Sequence, residues 1–415
     1  RAAIANDERI AVYGDFDVDG ICSAALLMQV LAGLGARAQV YIPHRVEEGY
    51  GLNKAAITRL ADDGIRLLIT ADCGTSSIDD IAHAGSLGVD VIVTDHHHVH
   101  GPFPPAVAVV NPRRADSTYP CRDLAGVGVA YKLAQALLAQ QAEEAATYLD
   151  LVALGTVVDV APLVGENRTL VRRGLTLMRT SPRPGLRALM EQARIRPEAV
   201  DTGSLGFAIG PRLNAAGRLD TARTSYDLLL AASGEEAMPL AKKLEEQNQE
   251  RQQLLELALA SARLQAAQQA QERRLIFVAS EQYLAGIVGL VAGRLVEEFY
   301  RPTVAVERGI TFSRGSCRSV SEFHMARALA ECGDLLERYG GHAQAAGFTV
   351  TTARLPELEQ RLAAIAAREL EGRDLEPVIV VDSVIPISQA NWDTLRWLRR
   401  MEPFGPGNPA PVLQS

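Results

Sequence analysis

Three carboxylates stand at alternate positions in the run GDFDVDG: Asp15, Asp17 and Asp19, with Gly20 opening the helical stretch that follows. Alone, such a cluster reads equally well as a solvated turn or a calcium loop. It is not alone. Asp72 closes the apolar run RLLITAD, and Asp95, His96 and His97 close the run that begins VDVIVT. Each group lies just past the carboxyl end of a β-rich stretch, and in an open parallel sheet those ends converge on one ligand-binding crevice. A bare row of carboxylates repels itself and is costly to desolvate, so cations are expected beside it. Asp and His together suit Mg2+ or Mn2+, and the lack of thiolates argues against structural zinc. Asp159, in ALGTVVDVAP, would by itself read as a helix-terminal residue facing solvent. In this company it completes a set large enough for two metals sharing a bridging carboxylate. Two cations about 3.5–4 Å apart can activate a water and clamp a phosphoryl group, so the residues point to metal-assisted hydrolysis of a phosphodiester or phosphomonoester. His98 and His100, in the same histidine run, are read as surface residues.

The elements that must position these groups follow from periodicity. Residues 9–110 alternate β-rich runs (9–15, 38–42, 66–72, 89–95 and 106–110) with helical stretches near 20–34, 53–62 and 77–87. Runs apolar on both faces and spaced by helices predict a parallel sheet covered on both sides. Residues 126–232 read mostly as helix, broken at 162–165, 181–185 and 210–217. Ser233 and Glu236 form a capping box that opens a long helical pattern to about Glu272. Fully helical, it would span about 57 Å, and it reads as a strut between two bodies. Two packed shorter helices are the alternative, and Pro239 either delays the start or kinks it. A second α/β unit follows, with strands at 274–280, 303–307 and 310–316 and helices at 286–299 and 322–332. A glycine-rich turn at 340–347 leads into a further strand. From about Leu375, VIVVDSVI, a short amphipathic helix and PFGPGNPAP look like the opening of a third domain that is cut off.

Composition narrows the function class. The chain has 415 residues, 47% hydrophobic and 22% charged, which suits two or three soluble globular domains rather than disorder. No apolar run approaches the roughly 18 residues that cross a bilayer, and no signal pattern opens the chain. It does not start with Met, which suggests that the numbering begins inside a longer gene product. Five cysteines without CxxC spacing fit a reducing cytosol. Of the 42 basic residues 38 are arginine, which a GC-rich genome explains and which would also suit phosphate recognition. The formal charge of −8 argues weakly against nucleic acid. Residues 1–184 hold 16 basic and 21 acidic residues, and six of those acids are the aspartates named above. Without them that module stands at +1, so the acidic total partly records a metal site.

GDFDVDG together with VTDHHH resembles the DHH phosphoesterase superfamily, and within it the RecJ group of bacterial single-strand-specific DNA exonucleases. GFAIGPRLNAAGRL (206–219), AVVNPRRAD with LAGVGVAYK (124–132), GSCRS (315–319) and GGHAQAAGF (340–348) extend the likeness in family order, from about residue 9 to about 410. The resemblance implies an α/β fold: a parallel-sheet DHH domain joined by a long helix to a smaller α/β DHHA1 domain, then the start of an OB-like β domain. The implied division is 1–232 (catalytic), 233–272 (connecting helix), 273–370 (DHHA1, substrate-binding) and 371–415 (OB-like, nucleic-acid-binding). It implies that Asp15, Asp17 and Asp72 hold one metal and that Asp19, Asp72, His96 and Asp159 hold the other, as Mn2+ or Mg2+. Asp95 would orient the site from behind, and His97 would contact the phosphate. Arg212, Asn214 and Arg218 would lie beside the substrate or hold their loop. Arg314, Ser316, Arg318 and Ser319 would grip the end phosphate across a cleft, with His342 facing the scissile phosphate. Gly340, Gly341 and Gly347 read as tight turns at least as well as contact residues, and Arg318 reads also as a structural ion pair.

The implied reaction is 5′-to-3′ release of 5′-mononucleotides from single-stranded DNA. It would serve recombination and repair in the bacterial cytoplasm, beside a helicase and single-strand-binding protein. Two rival readings are a DHH phosphatase or short-oligonucleotide hydrolase and a non-catalytic scaffold. Relatives of the first kind typically open with His where this chain has Asp-x-Asp-x-Asp. The second would have eroded metal motifs, and here every ligand type is present.

Overall fold

The computed structural model describes residues 1–415 other than Val46, His100, Gln140 and Gln271, and not the side chain of Ala142. The histidine run is therefore described only to His98, and His100 lies outside the described residues. Two compact units emerge: Arg1–Asn248 with Val381–Ser415, and Gln249–Val380.

The first unit is built on five parallel strands, β1 (Arg9–Gly14), β2 (Ala38–Tyr41), β3 (Ile65–Ala71), β4 (Asp90–Thr94) and β5 (Ala108–Val110). Their spatial order is β2-β1-β3-β4-β5. Alternate residues of β1 enter different cores: Ile10 and Val12 join Leu26 and Leu27 of the helix Val18–Gly33, whereas Ala11 and Tyr13 join Ile57, Leu68 and Ile81. Both faces are thus covered, as the unbroken apolar runs require. Between β1 and its helix the chain turns sharply. Asp17 caps the helix, accepting from the N–H groups of Asp19 (3.0 Å) and Gly20 (3.1 Å). A Cβ on Gly20 would lie 2.6 Å from that of Asp15, so only glycine lets this loop close.

Helical layers complete the unit. The helix Leu149–Val158 carries buried Asp150, whose two oxygens accept from Nε (2.5 Å) and Nη2 (2.6 Å) of Arg183; that guanidinium also donates to the Leu229 carbonyl. Asp150→Ala would leave the guanidinium buried without its counter-ion. Urea unfolding should then show a loss of about 3–5 kcal/mol, and a loss below 1 kcal/mol would contradict this assignment.

The expected break at 210–217 is absent. A wide π turn, Leu205–Ile209, runs directly into the helix Gly210–Leu219, and Pro211 falls in that helix's first turn, where its missing N–H costs least. The glycines there are points of close approach. A Cβ on Gly217 would meet the Phe16 carbonyl oxygen at 3.0 Å, and one on Gly210 would meet Val158 at 2.6 Å. The long pattern is one helix, Gly234–Ala270, with Pro239 inside it. Ser233 Oγ accepts from Glu236 N–H, as a capping box requires, but the Glu236 carboxylate reaches the N–H of Ala232 instead of Ser233.

The second unit holds a mixed sheet of β6 (Ile276–Ser280), β7 (Thr303–Glu307), β8 (Phe312–Arg318), β9 (Leu336–Gly341) and β10 (Ala345–Thr351), ordered β6-β7-β8-β10-β9. β6 and β7 run parallel and the other pairs antiparallel. The glycine-rich turn is shorter than expected. Gly340 and Gly341 finish β9 and Gly347 lies within β10; His342 N–H, bonded to the Ala345 carbonyl at 2.7 Å, closes the turn between them.

At the C-terminus the run 378–381 forms no strand, whereas Ser383–Val384 pairs with Leu413–Gln414. This segment sits on the first unit. Leu163 N–H donates to the Pro406 carbonyl at 2.7 Å, and Arg168 and Arg172 donate to carbonyls of 400–402. No helix of the described residues is long and apolar enough to cross a membrane.

Candidate functional site

The carboxyl ends of β1, β3 and β4 bring the predicted groups together. Asp15 follows β1, its N–H bonded to the Ala71 carbonyl at 3.1 Å. Asp72 follows β3 with φ +67°, a left-handed conformation uncommon outside Gly, which Asn and Asp enter more readily than other side chains. Strain of this kind collects at functional sites. His96 and His97 follow β4, and Asp159 ends the helix Leu149–Val158. Three sets of ligand atoms lie within 4.8 Å of one another: Asp15, Asp17 and Asp72; Asp72, His96 and His97; Asp19, His96 and Asp159.

Asp19 is fixed from behind. Its Oδ2 accepts from Gly126 N–H at 2.7 Å and its Oδ1 from Val127 N–H at 2.8 Å, at the start of the helix Gly126–Leu138. Gly126 and Gly155 are bare of necessity, since a Cβ would come within 2.4 Å of Asp72 Oδ1 or 2.8 Å of Asp19 Oδ1. Asp95 is spoken for by the protein. Its Oδ1 accepts from the N–H of His96 (2.7 Å) and of His97 (3.1 Å) and pairs with His97 Nδ1 (2.7 Å), while Oδ2 accepts from Thr75 N–H (2.9 Å).

Electrostatics separates these groups by role. Burial, reinforced by the Asp17 charge, pushes Asp15 well above the carboxylate range and Asp19 up to about 7. Burial together with Asp19 raises Asp72 well above that range and Asp159 to about 9. Burial and the neighbouring His97 lower His96 to about 3, so its imidazole is neutral and can act as a ligand. Burial would also raise Asp95, but the hydrogen bond and charge of His97 hold it well below the usual range. Burial works against a charge on His97, yet Asp95 wins and raises it.

Whether these residues suit divalent cations is tested by two atoms. His96 Nε2 and Asp72 Oδ1 are buried 3.1 Å apart, and neither makes a hydrogen bond among the described residues. Buried polar atoms without partners are rare and costly. A neutral imidazole and a carboxylate aimed at one point, ringed by carboxylates that burial disfavours as bare charges, form a donor set for Mg2+ or Mn2+. The residues fit.

Comparison with known proteins agrees. Models described as "DHH family, N-terminal domain", "DHHA1 domain" and "RecJ OB domain" match residues 9–156, 273–368 and 381–415. The chain is 37% identical over 439 residues to the single-stranded-DNA-specific exonuclease RecJ of Dickeya dadantii, covering all of this chain and 76% of that protein. The chain belongs to the RecJ family. The RecJ of Bacillus subtilis is 38% identical over 99% of this chain, which spans 52% of that relative's length. Among solved structures, Thermus thermophilus RecJ in complex with Mn2+ superposes with a TM-score of 0.88 at 34% identity, over 99% of this chain and 59% of that one. An exonuclease RecJ bound to manganese gives 0.77 at 36% identity, over 90% of this chain and 94% of that one.

The other residues to which the RecJ resemblance points fall on the helix Gly210–Leu219 of the first unit and in the second unit. Arg212 is held by Glu245 (Nε to Oε2, 2.5 Å) and by the Ala208 carbonyl, which ties its helix to the long helix. Asn214 and Arg218 share that helix, half-buried. In the second unit Arg314, Ser316 and Arg318 share one face of β8; Arg318 donates to Ser316 Oγ (3.3 Å) and the Cys317 carbonyl (2.8 Å). Ser319 is buried, and its hydroxyl donates to the Phe323 carbonyl at 2.8 Å, so it shapes the turn. His342 opens the β9–β10 turn, and His98 is exposed.

Four residues of the crevice escaped the sequence reading. Tyr50 Oη lies 3.1 Å from His97 Nδ1; Asn111 donates to the His97 carbonyl (2.9 Å) and Thr75 Oγ1 (3.0 Å). The Arg45 guanidinium sits 4.7 Å from the centre of the Phe16 ring, and Thr75 braces Asp95. Their signal was weak: Asn111 lies in the motif AVVNPRRAD, which marks the likeness but gives the residue no role, and Arg45, Tyr50 and Thr75 fall in no motif until the sheet folds them onto the crevice.

Proposed function

We propose that this chain carries the metal-dependent exonuclease centre of a RecJ protein, removing 5′-mononucleotides from the 5′ end of single-stranded DNA. The observation that carries the reading is the pair of facing, unsatisfied buried atoms, His96 Nε2 and Asp72 Oδ1, within a ring of aspartates. Asp15, Asp17 and Asp72 would hold one cation, and Asp19, Asp72, His96 and Asp159 the other, as Mn2+ or Mg2+. When bound, such a pair supplies Lewis acidity, which makes water nucleophilic near neutral pH and stabilises charge on a phosphoryl group.

The remaining work belongs to the chain itself. Gly126 and Val127 lock the Asp19 carboxylate in one orientation, so no reorganisation is needed during turnover. Asp95 favours the protonated form of His97, and in that form the imidazole would offer an N–H to a phosphate oxygen. Tyr50 and Asn111 hold that histidine segment in place.

The deciding experiment digests long single strands labelled at either end, and the matching duplex, with Mn2+ present. Labelled mononucleotide should appear at once from the 5′ label and only late from the 3′ label, while the duplex persists. Activity confined to dinucleotides would favour the short-oligonucleotide reading, and intact strands the scaffold.

A further inference from the structure

Both faces of the mixed sheet of the second unit are covered at β6 and β7, one of them by the helix Ala285–Phe299, which reaches Ser316 of β8; beyond it, towards β9, that second face is open. Ala346, Phe348 and Val350 of β10, with Cys317 of β8, point into the core; Gly347 and Thr349, with Ser316 and Arg314, point the other way. Register fixes what stands side by side there. Arg314 of β8 pairs with Thr349 of β10, which pairs with Arg338 of β9; the next row is Ser316, Gly347 and Gly340. Strands lie about 4.8 Å apart, so the two arginines flank Thr349 with Cα atoms about 10 Å from each other.

Three observations mark this row as a ligand surface. First, Arg314 and Arg338 are exposed and make no hydrogen bond or ion pair among the described residues. Arg308 and Arg327 are exposed in the same way, whereas Arg361 is held by Asp334, Arg368 by Glu331 and Arg273 by Glu359; what sets Arg314 and Arg338 apart is their shared row on the sheet. Second, the adjoining row is floored by glycine without local cause. Gly340 has no atom within 4 Å of its missing Cβ and an ordinary backbone, so neither strain nor crowding demands glycine there. Third, the acids nearby leave the arginines unpaired. Glu307 faces Arg314 across β7 without bridging to it, and Glu337 accepts instead from Thr351 Oγ1 at 3.0 Å.

We propose that Arg338 binds a backbone phosphate of the single strand, next along from the phosphate held at Arg314, while the Gly347–Gly340 floor lets the sugar-phosphate chain approach the sheet. This rests on the nuclease reading above and adds to it a second phosphate contact on the second unit. Arg338 is a binding residue in this proposal and has no part in bond cleavage.

The test is steady-state cleavage of single-stranded 12-mers carrying one neutral methylphosphonate at each of the first four linkages, by the parent, Arg338→Ala and Arg338→Lys, with Mn2+. Arg338→Ala should raise KM about tenfold with kcat little changed, and Arg338→Lys should recover most of the loss. The slope of log kcat/KM against log salt should become shallower by about 0.7, the contribution of one phosphate on a single strand. At one linkage beyond the end, the methylphosphonate penalty seen with the parent should vanish in Arg338→Ala. Additive penalties at every linkage, or an unchanged KM and salt slope, overturn the proposal while leaving the nuclease reading intact. A parent that releases no mononucleotide from any strand overturns both.

Discussion

Asp72→Asn should lower metal-dependent cleavage of single-stranded DNA by about 10³-fold or more and leave the metal-free protein folded. Asp72 belongs to two of the three ligand sets, joining Asp15 and Asp17 on one side to His96 and His97 on the other. Removing its charge would disable both of the proposed cation positions at once, and Lewis-acid stabilisation is worth several kcal/mol. The fold should tolerate the change for two reasons. Asparagine accepts the left-handed conformation at φ +67°, and it removes a buried carboxyl that burial and Asp19 already disfavour as an anion. Asp72→Ala should be equally inactive but less stable by about 1–2 kcal/mol, because alanine resists that conformation. Turnover with Mn2+, and Tm with and without it, check both variants. Undiminished turnover, or a Mn2+-induced rise in Tm equal to the parent's, would sink the assignment of Asp72.

How much of this centre was legible follows from where its residues lie. Asp15, Asp17, Asp19, Asp72, Asp95, His96 and His97 each touch the end of a β-rich run, so their convergence is already a property of a parallel sheet. The groups that hold them are different. Gly126 and Val127 act through backbone N–H, which no side-chain pattern announces, and they sit more than 100 positions from Asp19. Glycine misled in the opposite direction. In 210–217 it looked like a helix breaker, but the structure uses Gly210 and Gly217 for close packing against Val158 and Phe16. A wide turn just before Pro211 kept the chain helical where local propensity alone predicts a stop. Composition misled less than it first suggested, because six of the acids behind the −8 total cluster at one crevice.

That clustering makes the metal-free protein sensitive to pH in a direction uncommon for soluble domains. Asp19, at about 7, and Asp159, at about 9, lie far above an unfolded aspartate, and Asp15 and Asp72 are raised too. A carboxyl raised on folding adds stability that is whole below about pH 4 and lost as pH climbs through the folded value. His97, also raised, acts in the same sense above its unfolded value near 6.5. His96 and Asp95, both lowered, act in the other sense, but their contributions change only below about 6.5 and 4 respectively. Between pH 6.5 and 9 every shifted group of the crevice therefore pulls one way. Each pKa unit is worth about 1.4 kcal/mol, so the metal-free protein should lose several kcal/mol across that window, a fall in Tm on the order of 10 °C. Mn2+ competes with the same protons, so its stabilising shift should be small near pH 6 and largest near pH 9. Calorimetry of the chelator-treated and Mn2+-loaded protein at half-unit pH steps gives both curves. A metal-free Tm that stays level or rises from pH 6.5 to 9 would show that the aspartates are ionised and compensated by the protein alone, and the crevice would then have no need of cations.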